Sequence, residues 1–348
     1  MTIALGILVR LAIWLLLAPL LPGIINKVKA WVAGRRGPPV LQLYYDLAKL
    51  CRKGTVLSTA VSPGHVIGPA VAWMALAGAA LLLPLGPGGA GLAFRGDALL
   101  FVYLLAMARF SIAFAALDTG SAFEGMGVAR EVSYAVLAEA TIITALLTLG
   151  IQSGSVSLAE MLTPSAGAGA ALLAAGLFTA MLAENCRVPF DDPNTHLELT
   201  MIHEVMVLDH SGPSLAVILH GASLKLLLFA VLLVEAVLPL GEMSALGAAG
   251  AAAGAVLVVT VAVGLVESLL ARFAFRRVPL LLTTAFLLCL FALLAAWRGS
   301  ANGIRFIHAA TNIEYQCADI STVLACPETS RTRTRMRRTR GTRRECLV

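Results

Sequence analysis

Long runs of apolar residues, most of them about 20 residues in length, recur along this 348-residue chain. A helix needs about 20 such residues to cross roughly 30 Å of hydrocarbon, whereas a membrane β-strand would alternate apolar and polar positions. The runs do not alternate in this way. The pattern therefore predicts an all-α integral membrane protein with about eight transmembrane helices, at residues 3–25, 66–85, 98–117, 131–151, 167–185, 214–238, 246–271 and 279–297. We interpret the first run as a span because it is too long for a cleaved signal peptide and no basic segment precedes it.

Basic residues are concentrated in particular loops. Residues 26–59 contain seven lysines and arginines but a single acid, Asp46, and three arginines follow the seventh run at 272, 276 and 277. Cytoplasmic loops of membrane proteins carry this excess of lysine and arginine. We therefore expect the loops after spans one, three, five and seven to face the cytoplasm and the N-terminus to face outside.

Composition agrees with a membrane domain at residues 1–298, followed by a different segment. Hydrophobic residues make up 59% of the chain and charged residues 13%, which excludes an ordinary soluble domain. Residues 331–344 carry eight arginines and no acid, so much of the formal charge of +6 comes from this segment. We expect residues 299–348 to be a basic low-complexity tail that is disordered or non-native. An arm that binds anionic lipid or nucleic acid is the alternative, and we assign no nucleic-acid partner from it.

The six cysteines are scattered, without CxxC pairs or iron–sulfur spacing. We therefore expect no metal cluster in this chain.

One polar stretch, residues 183–213, interrupts the apolar pattern, and we call it the island. It contains six acids, three histidines and one arginine. Asp192 and Pro193 are typical of a helix start and Gly212 of a helix end, which predicts a helix of about 17 residues. On such a helix His196, His203 and His210 lie along one face, and Glu198 and Asp209 lie on the other side.

Three functions were considered for this helix. A zinc site is disfavoured because Val207 stands where a zincin motif needs its second histidine, and histidines seven positions apart are about 10 Å distant along the axis. A solvated amphipathic helix on the membrane surface would favour lysine and arginine, and none lies between Asp191 and Asp209. Alternating acids and imidazoles favour proton exchange instead.

Ionisable residues also lie inside the predicted spans, where an unpaired charge is costly. Each is a functional candidate, with a structural ion pair as the alternative: Arg109, Glu139, Glu184, Lys225, Glu235 and Glu267.

The first basic loop contains a second amphipathic segment. Apolar residues at 41, 43, 44, 47 and 50 have the spacing of a helix that lies on a surface. Anchoring at the membrane interface and docking of a soluble partner both fit, and the candidate contact residues are Arg35, Arg36, Tyr44, Tyr45 and Asp46.

Two stretches together resemble a known family. Residues 183–199, with Glu184, Arg187 and the Pro189-Phe190-Asp191 element, resemble the signature loop of subunit 1 of respiratory NADH:quinone oxidoreductase, and residues 34–38 resemble its first cytoplasmic loop. Residues 191–213 and 35–47 are most similar to the hydrogenase branch, the membrane-anchor subunits of formate hydrogenlyase and hydrogenase-4 type nickel–iron hydrogenases. Asn194 and His196 replace acids of the quinone-linked pattern, which favours that branch.

The resemblance implies a membrane-anchor and proton-coupling subunit of a hydrogen-evolving complex in a bacterial or archaeal cytoplasmic membrane. Its implied partners are the hydrogenase large and small subunits, which would hold the nickel–iron centre and iron–sulfur clusters, and antiporter-like membrane subunits. The resemblance thus implies that this chain itself binds no metal or cofactor and contributes no catalytic residue. The relay residues predicted from the island and the spans are Glu139, Glu184, Arg187, Asp191, Asp192, His196, Glu198, His203, Glu204, Asp209, Lys225, Glu235 and Glu267. A quinone-binding subunit of an NADH:quinone oxidoreductase and a stand-alone ion transporter are the alternatives.

Overall fold

The structure is a computed structural model, and it describes residues 2–84, 91–162, 168–191, 202–238 and 243–299. Within those ranges the regular structure is helical and contains no strand. The predicted tail after residue 299 lies outside the described residues. The helices are α1 (Thr2–Leu17), α2 (Leu20–Val32), α3 (Gln42–Cys51), α4 (Pro63–Leu82), α5 (Asp97–Leu117), α6 (Ala122–Ser153), α7 (Leu158–Met161), α8 (Ala168–Glu184), α9 (Gly212–Val237), α10 (Ala245–Leu269) and α11 (Val278–Gly299).

The predicted all-helical membrane fold is confirmed. Seven helical segments of the described chain are long and apolar enough to cross a membrane, α1 and α2 together forming the first of them. Helix α8, which has 17 residues, occupies the position of the fifth predicted span. The expected count of about eight spans therefore agrees with the structure.

The first span is broken, which its apolar pattern did not predict. Helix α1 ends at Leu17 and α2 begins at Leu20. Pro19 has no N–H to donate to the carbonyl of Leu15, four residues earlier. The ring of His220 lies 3.1 Å from that oxygen through Nε2, and the Tyr44 hydroxyl donates to the carbonyl of Leu16. Side chains from α9 and α3 thus bind carbonyls at the break.

Helix α6 begins nine residues before the start of the predicted fourth span. It covers 32 residues, about 48 Å at 1.5 Å per residue, and is therefore longer than the hydrocarbon layer. Glu131 stands nine residues inside it, although the apolar pattern placed this residue at the boundary of the span.

The loops after the first, third, fifth and seventh predicted spans meet at one end of the bundle, which we call the basic end. The backbone N of Val56 lies 2.9 Å from Ser211 Oγ, and the backbone N of Ser62 lies 2.8 Å from Asp118 Oδ2. The backbone N of Phe273 donates to Pro189 O at 3.0 Å. At the opposite end, Gly96 N contacts Val156 O. The loops expected to share the cytoplasmic side therefore do lie together.

Helix α9 lies at the centre of the bundle and contacts α1, α2, α3, α4, α8 and α10. Most of its residues after Leu224 are buried. Small residues allow neighbouring helices to approach closely: a Cβ placed on Gly68 of α4 would lie 2.6 Å from the carbonyl oxygen of Ser111 in α5. This packing brings polar side chains of α5, α6, α8 and α9 together.

Candidate functional site

Arg109 of α5 is the centre of a buried ion cluster. Its Nη2 lies 2.5 Å from Glu184 Oε1, at the end of α8, and its Nη1 contacts the carboxylate of Glu139 on α6. Its Nε lies 3.9 Å from Glu131 Oε1, also on α6. The guanidinium is therefore surrounded by three carboxylates, and its side chain is 9% exposed.

Lys225 of α9 completes this group. Its Nζ lies 2.8 Å from Glu184 Oε2, so each carboxylate oxygen of Glu184 contacts a different cation. We call the five residues Arg109, Glu131, Glu139, Glu184 and Lys225 the central ion cluster. With every member ionised it has two positive and three negative charges, a formal charge of −1 that one proton would neutralise.

A second ion cluster connects the island to α2 and α10. The carboxylate of Glu267, which is fully buried, lies 3.2 Å from Arg187 Nη1 and 2.9 Å from Lys29 Nζ. Two cations share one acid here, so the charge is opposite in sign to that of the central ion cluster. Removal of Glu267 would leave two cations facing each other.

Asp191 links the two described parts of the island. Its Oδ2 accepts hydrogen bonds from the backbone N of Ile202 at 2.9 Å and of His203 at 3.3 Å. Its Oδ1 lies 3.4 Å from Arg272 Nη2, in the loop after α10. One buried carboxylate thereby holds together two parts of the island that are eleven residues apart.

The predicted 17-residue helix of the island is not formed in the part that the structure describes. Residues 202–211 contain a 3-10 helix at Glu204–Val207 and turns. The backbone N groups of Ile202, His203 and Asp209 contact the carboxylates of Asp191 and Glu124 instead of continuing a helical ladder. The segment also packs closely on α6, where a Cβ added to Gly127 would lie 2.4 Å from Val205 Cγ1. The predicted face shared by His203 and His210 is therefore wrong, and His196 lies outside the described residues.

A cavity of about 200 Å³ lies between the central ion cluster, the island and the start of α9. Arg109, Glu131, Glu184 and Lys225 line one part of it, together with Arg187, Asp191, His203 and Glu204 of the island. Apolar residues line the other part, among them Pro22, Leu43, Pro69, Trp73, Leu76 and Ile218. The cavity therefore has a charged wall and an apolar wall, and can accept water or an amphipathic molecule.

Cys186 lies on the charged wall, directly after α8. Its Sγ is 3.6 Å from Glu131 Oε2. Burial, followed by the nearby carboxylates of Glu131 and Asp191, raises the pKa of this thiol well above its usual range. The thiol is therefore protonated at neutral pH and can donate to Glu131.

The structure brings together part of the predicted relay. Glu139, Glu184 and Lys225 belong to the central ion cluster, Arg187 and Glu267 form the second one, and His203 and Glu204 line the cavity. Asp209 is exposed, and its backbone N contacts Glu124 at 3.3 Å. Glu235 lies ten residues after Lys225, about 15 Å along α9 and toward the opposite end. Asp192, His196 and Glu198 lie outside the described residues.

The predicted contact residues of the first basic loop are at the basic end. Arg35, Arg36 and Tyr45 are exposed there. The carboxylate of Asp46 accepts from Gln42 Nε2 at 3.0 Å, and the Tyr44 hydroxyl contacts α1, so these two side chains already have partners within the chain. Helix α3 carries Tyr44, Tyr45 and Asp46 and has no buried member, as expected for a helix at a surface.

Sequence reasoning did not include Glu131, Cys186 or Lys29 in the site. The apolar pattern places Glu131 at the boundary of a span, and Lys29 enters the sequence analysis only as one of the basic residues that predict a cytoplasmic loop. The lone arginine of the third span was the available signal, because a buried guanidinium needs several carboxylate partners. Arg109 was recognised as a candidate but not as the centre of the cluster.

The fold and the buried clusters define a multi-pass helical membrane protein with ion pairs between its spans. The chain belongs to the NADH dehydrogenase family, which matches residues 5–297. It is 34% identical to hydrogenase-4 component C of Escherichia coli strain K12 over 243 residues, 68% of this chain and 75% of that protein. It is 32% identical to formate hydrogenlyase subunit 4 of the same organism over 241 residues, 67% of this chain and 77% of that protein.

A solved structure shares the fold. It is a chain of the membrane-bound sulfane sulfur reductase, an archaeal respiratory membrane complex, with a TM-score of 0.75 and 20% identity, covering 85% of this chain and 100% of that one. The resemblance described from the island and the first basic loop is confirmed by these comparisons.

Proposed function

We propose that this protein is the membrane-anchor and proton-coupling subunit of a multisubunit, hydrogen-evolving nickel–iron hydrogenase complex in a prokaryotic cytoplasmic membrane. Its similarity to a hydrogenase-4 component and to a formate hydrogenlyase subunit supports this class. Large and small hydrogenase subunits would carry the nickel–iron centre and iron–sulfur clusters above the basic end. Antiporter-like subunits would be its neighbours in the membrane.

The formal charge of the central ion cluster carries the proton-coupling part of the proposal. Its three carboxylates and two cations leave one negative charge uncompensated, at a site where Glu184 is buried, Glu131 is 14% exposed and Glu139 is 36% exposed. Uptake of one proton removes this charge, and its release restores it. Since Glu184 has a cation at each oxygen, the proton is placed on Glu131 or Glu139. The Cys186 thiol lies within reach of Glu131, and the cavity gives water access to this carboxylate.

The basic end supports the anchoring part. Arg35, Arg36 and Tyr45 are exposed there beside α3, and Glu204 lines the cavity below them. An exposed basic surface favours an acidic docking surface on a soluble partner. A redox reaction in that partner would then change the electrostatic potential in the cavity from one side.

The test is a proton-transport assay in inverted membrane vesicles containing the whole complex. Glu184→Gln and Glu131→Gln should abolish proton movement driven by hydrogen evolution. Glu160→Gln, an exposed acid near the opposite end, is the matched control and should leave it intact. Nickel and iron in the preparation purified through this chain test the complex itself. Normal proton movement in both cluster variants, or a preparation without nickel, would refute the corresponding part.

The apolar wall of the cavity favours a second candidate, a quinone-binding subunit of an NADH:quinone oxidoreductase. Trp73, Leu76 and Ile218 give this wall the character expected around a quinone ring. A photoreactive quinone analogue added to the purified complex should label residues of this wall if quinone binds, and nickel in the complex would count against this candidate.

A further inference from the structure

Two buried histidine rings stack on each other at the basic end. The ring centroids of His65 and His210 are 3.9 Å apart and the planes differ by 3°. His65 is in the first turn of α4, and His210 lies two residues before the start of α9, so residues distant in sequence meet here. The two residues are 2% and 4% exposed.

The hydrogen bonds fit a pair of neutral imidazoles. His65 Nδ1 lies 3.1 Å from the carbonyl oxygen of Ala115, and because a carbonyl only accepts, this nitrogen carries the proton. His210 Nδ1 contacts Ser214 Oγ at 3.0 Å, and its Nε2 is buried without a hydrogen-bond partner. A proton on this Nε2 would create a buried N–H without an acceptor.

The charged groups around the stack come from three elements. Asp118, in the turn between α5 and α6, accepts from Ser62 Oγ at 2.9 Å and from the backbone N of His65 at 3.2 Å. Glu124 of α6 contacts Thr119 Oγ1 and the backbone N of Asp209. Asp209 itself is exposed beside the stack. From α9 the stack receives the Ser214 hydroxyl, which is uncharged.

These acids hold the backbone around the stack rather than the second ring nitrogen of His210. Burial, followed by the proximity of His65, lowers the pKa of His210 to about 4. Its pKa in an unfolded chain is about 6.5, so the closed arrangement binds this proton less tightly than an open one does. The stabilisation of the closed arrangement by neutral His210 is complete above about pH 6.5 and is lost progressively as the pH falls toward 4.

We propose that His65 and His210 are a positioning pair that holds residues 202–211 against α4 and α6 while the His210 ring is neutral, and that protonation of His210 releases this segment. The segment carries His203, Glu204 and Met206 of the cavity wall. Its release would open the charged wall of the cavity toward the basic end. Acidification on that side therefore changes water access to the central ion cluster.

The test is hydrogen–deuterium exchange of residues 202–211 in the purified complex, between about pH 7.5 and 5.5, corrected for the intrinsic pH dependence of exchange. If opening takes up one proton, the corrected exchange of the wild type rises by up to about tenfold per pH unit. His210→Phe keeps an aromatic ring in the stack without the buried Nε2 that takes up the proton, and should show no such rise. Ser214→Ala is the matched control, since it removes the Nδ1 contact of His210 but keeps both imidazoles, and it should retain the rise.

A wild type without the rise, or a rise that persists in His210→Phe, would overturn the proposal. The wild-type measurement needs no variant, so it tests the proposal even if a substitution prevents assembly of the complex. The readout is amide exchange rather than proton transport. If proton transport is lost while the pH dependence of amide exchange is intact, the result therefore counts against the proposed function and not against the role of the histidine pair.

Discussion

Arg109 Nη2 and Glu184 Oε1 lie 2.5 Å apart and join the middle of α5 to the end of α8. The same guanidinium contacts Glu139, and the same carboxylate contacts Lys225. Four helices thus depend on one chain of charges. A buried charge that loses its partner is costly, so this series of ion pairs stabilises the packing of the helices in addition to any chemical role.

Arg109→Gln should destabilise the protein by about 3–5 kcal/mol, because it leaves buried carboxylates without their shared cation. The double variant Arg109→Gln with Glu184→Gln should lose less stability, since it removes the charge of one of these carboxylates together with the guanidinium. Thermal unfolding of the purified complex in detergent measures both. Arg95→Gln, at an exposed arginine of the opposite end, is the control and should change little. Equal losses in the single and double variants would show that the two residues do not act as a pair.

The spans could be predicted from the sequence, but the cluster could not. Hydropathy determines which segments cross the membrane. The distribution of lysine and arginine predicts four loops on one side, and the contacts at Val56, Ser62 and Phe273 confirm that these loops lie together. Which helices touch depends on packing. The pairing of Arg109 with Glu139 and Glu184 therefore followed only from the fold.

The island shows a different limit. Its caps and spacing favoured a helix, yet residues 202–211 are held by contacts that come from distant parts of the chain, including Gly127 of α6. Local periodicity contains no information about such contacts. Tertiary interactions outweigh a marginal helix propensity here.

Gly127→Ala should disturb the island without touching a charge. The added Cβ would lie 2.4 Å from Val205 Cγ1 and 3.0 Å from the carbonyl oxygen of Ile202, so the segment must move. Such overpacking costs about 1–3 kcal/mol. Gly125→Ala is a matched control in the same helix, since a Cβ there meets nothing within 4 Å and alanine favours the helix.

Unfolding temperature and proteolysis of the island compare the two alanine variants. Gly127→Ala should lower the unfolding temperature and raise the rate of proteolysis, and Gly125→Ala should do neither. Identical behaviour would mean that the island does not pack on α6 as described.

The break in the first span gives a prediction about His220. Trp73 Nε1 donates to His220 Nδ1 at 2.9 Å, so Nε2 carries the proton that reaches Leu15 O. His220→Phe leaves a partly buried donor, Trp73 Nε1, and a partly buried acceptor, Leu15 O, unpaired, at a cost of up to about 1–3 kcal/mol each. Pro19→Ala returns an N–H that can reach Leu15 O, so the double variant should be less destabilised than the sum of the single ones. Additive losses in thermal unfolding would contradict this role of His220.

Cys186 should resist alkylation at a pH where Cys51 reacts. The thiolate is the reactive form, and burial raises the pKa of Cys186, which keeps its thiol protonated. Cys51 is exposed on α3. Iodoacetamide treatment near pH 8, followed by peptide mass spectrometry, should modify Cys51 and leave Cys186 unmodified until the protein unfolds. Rapid modification of Cys186 in the folded complex would contradict its burial beside Glu131.

The orientation of the basic end can be tested with the same exposed cysteine. Since lysines and arginines accumulate on the cytoplasmic side, Cys51 should react with a membrane-impermeant maleimide in inverted vesicles but not in intact cells. Arg95→Cys, placed at the opposite end in a chain with Cys51→Ser, should show the reverse pattern. Arg276→Cys in the same background should behave like Cys51, because its loop meets the island at the contact between Phe273 and Pro189. Labelling of Cys51 and Arg276→Cys from opposite sides would contradict the shared end, whereas labelling of both from outside would reverse the predicted orientation and leave the fold intact.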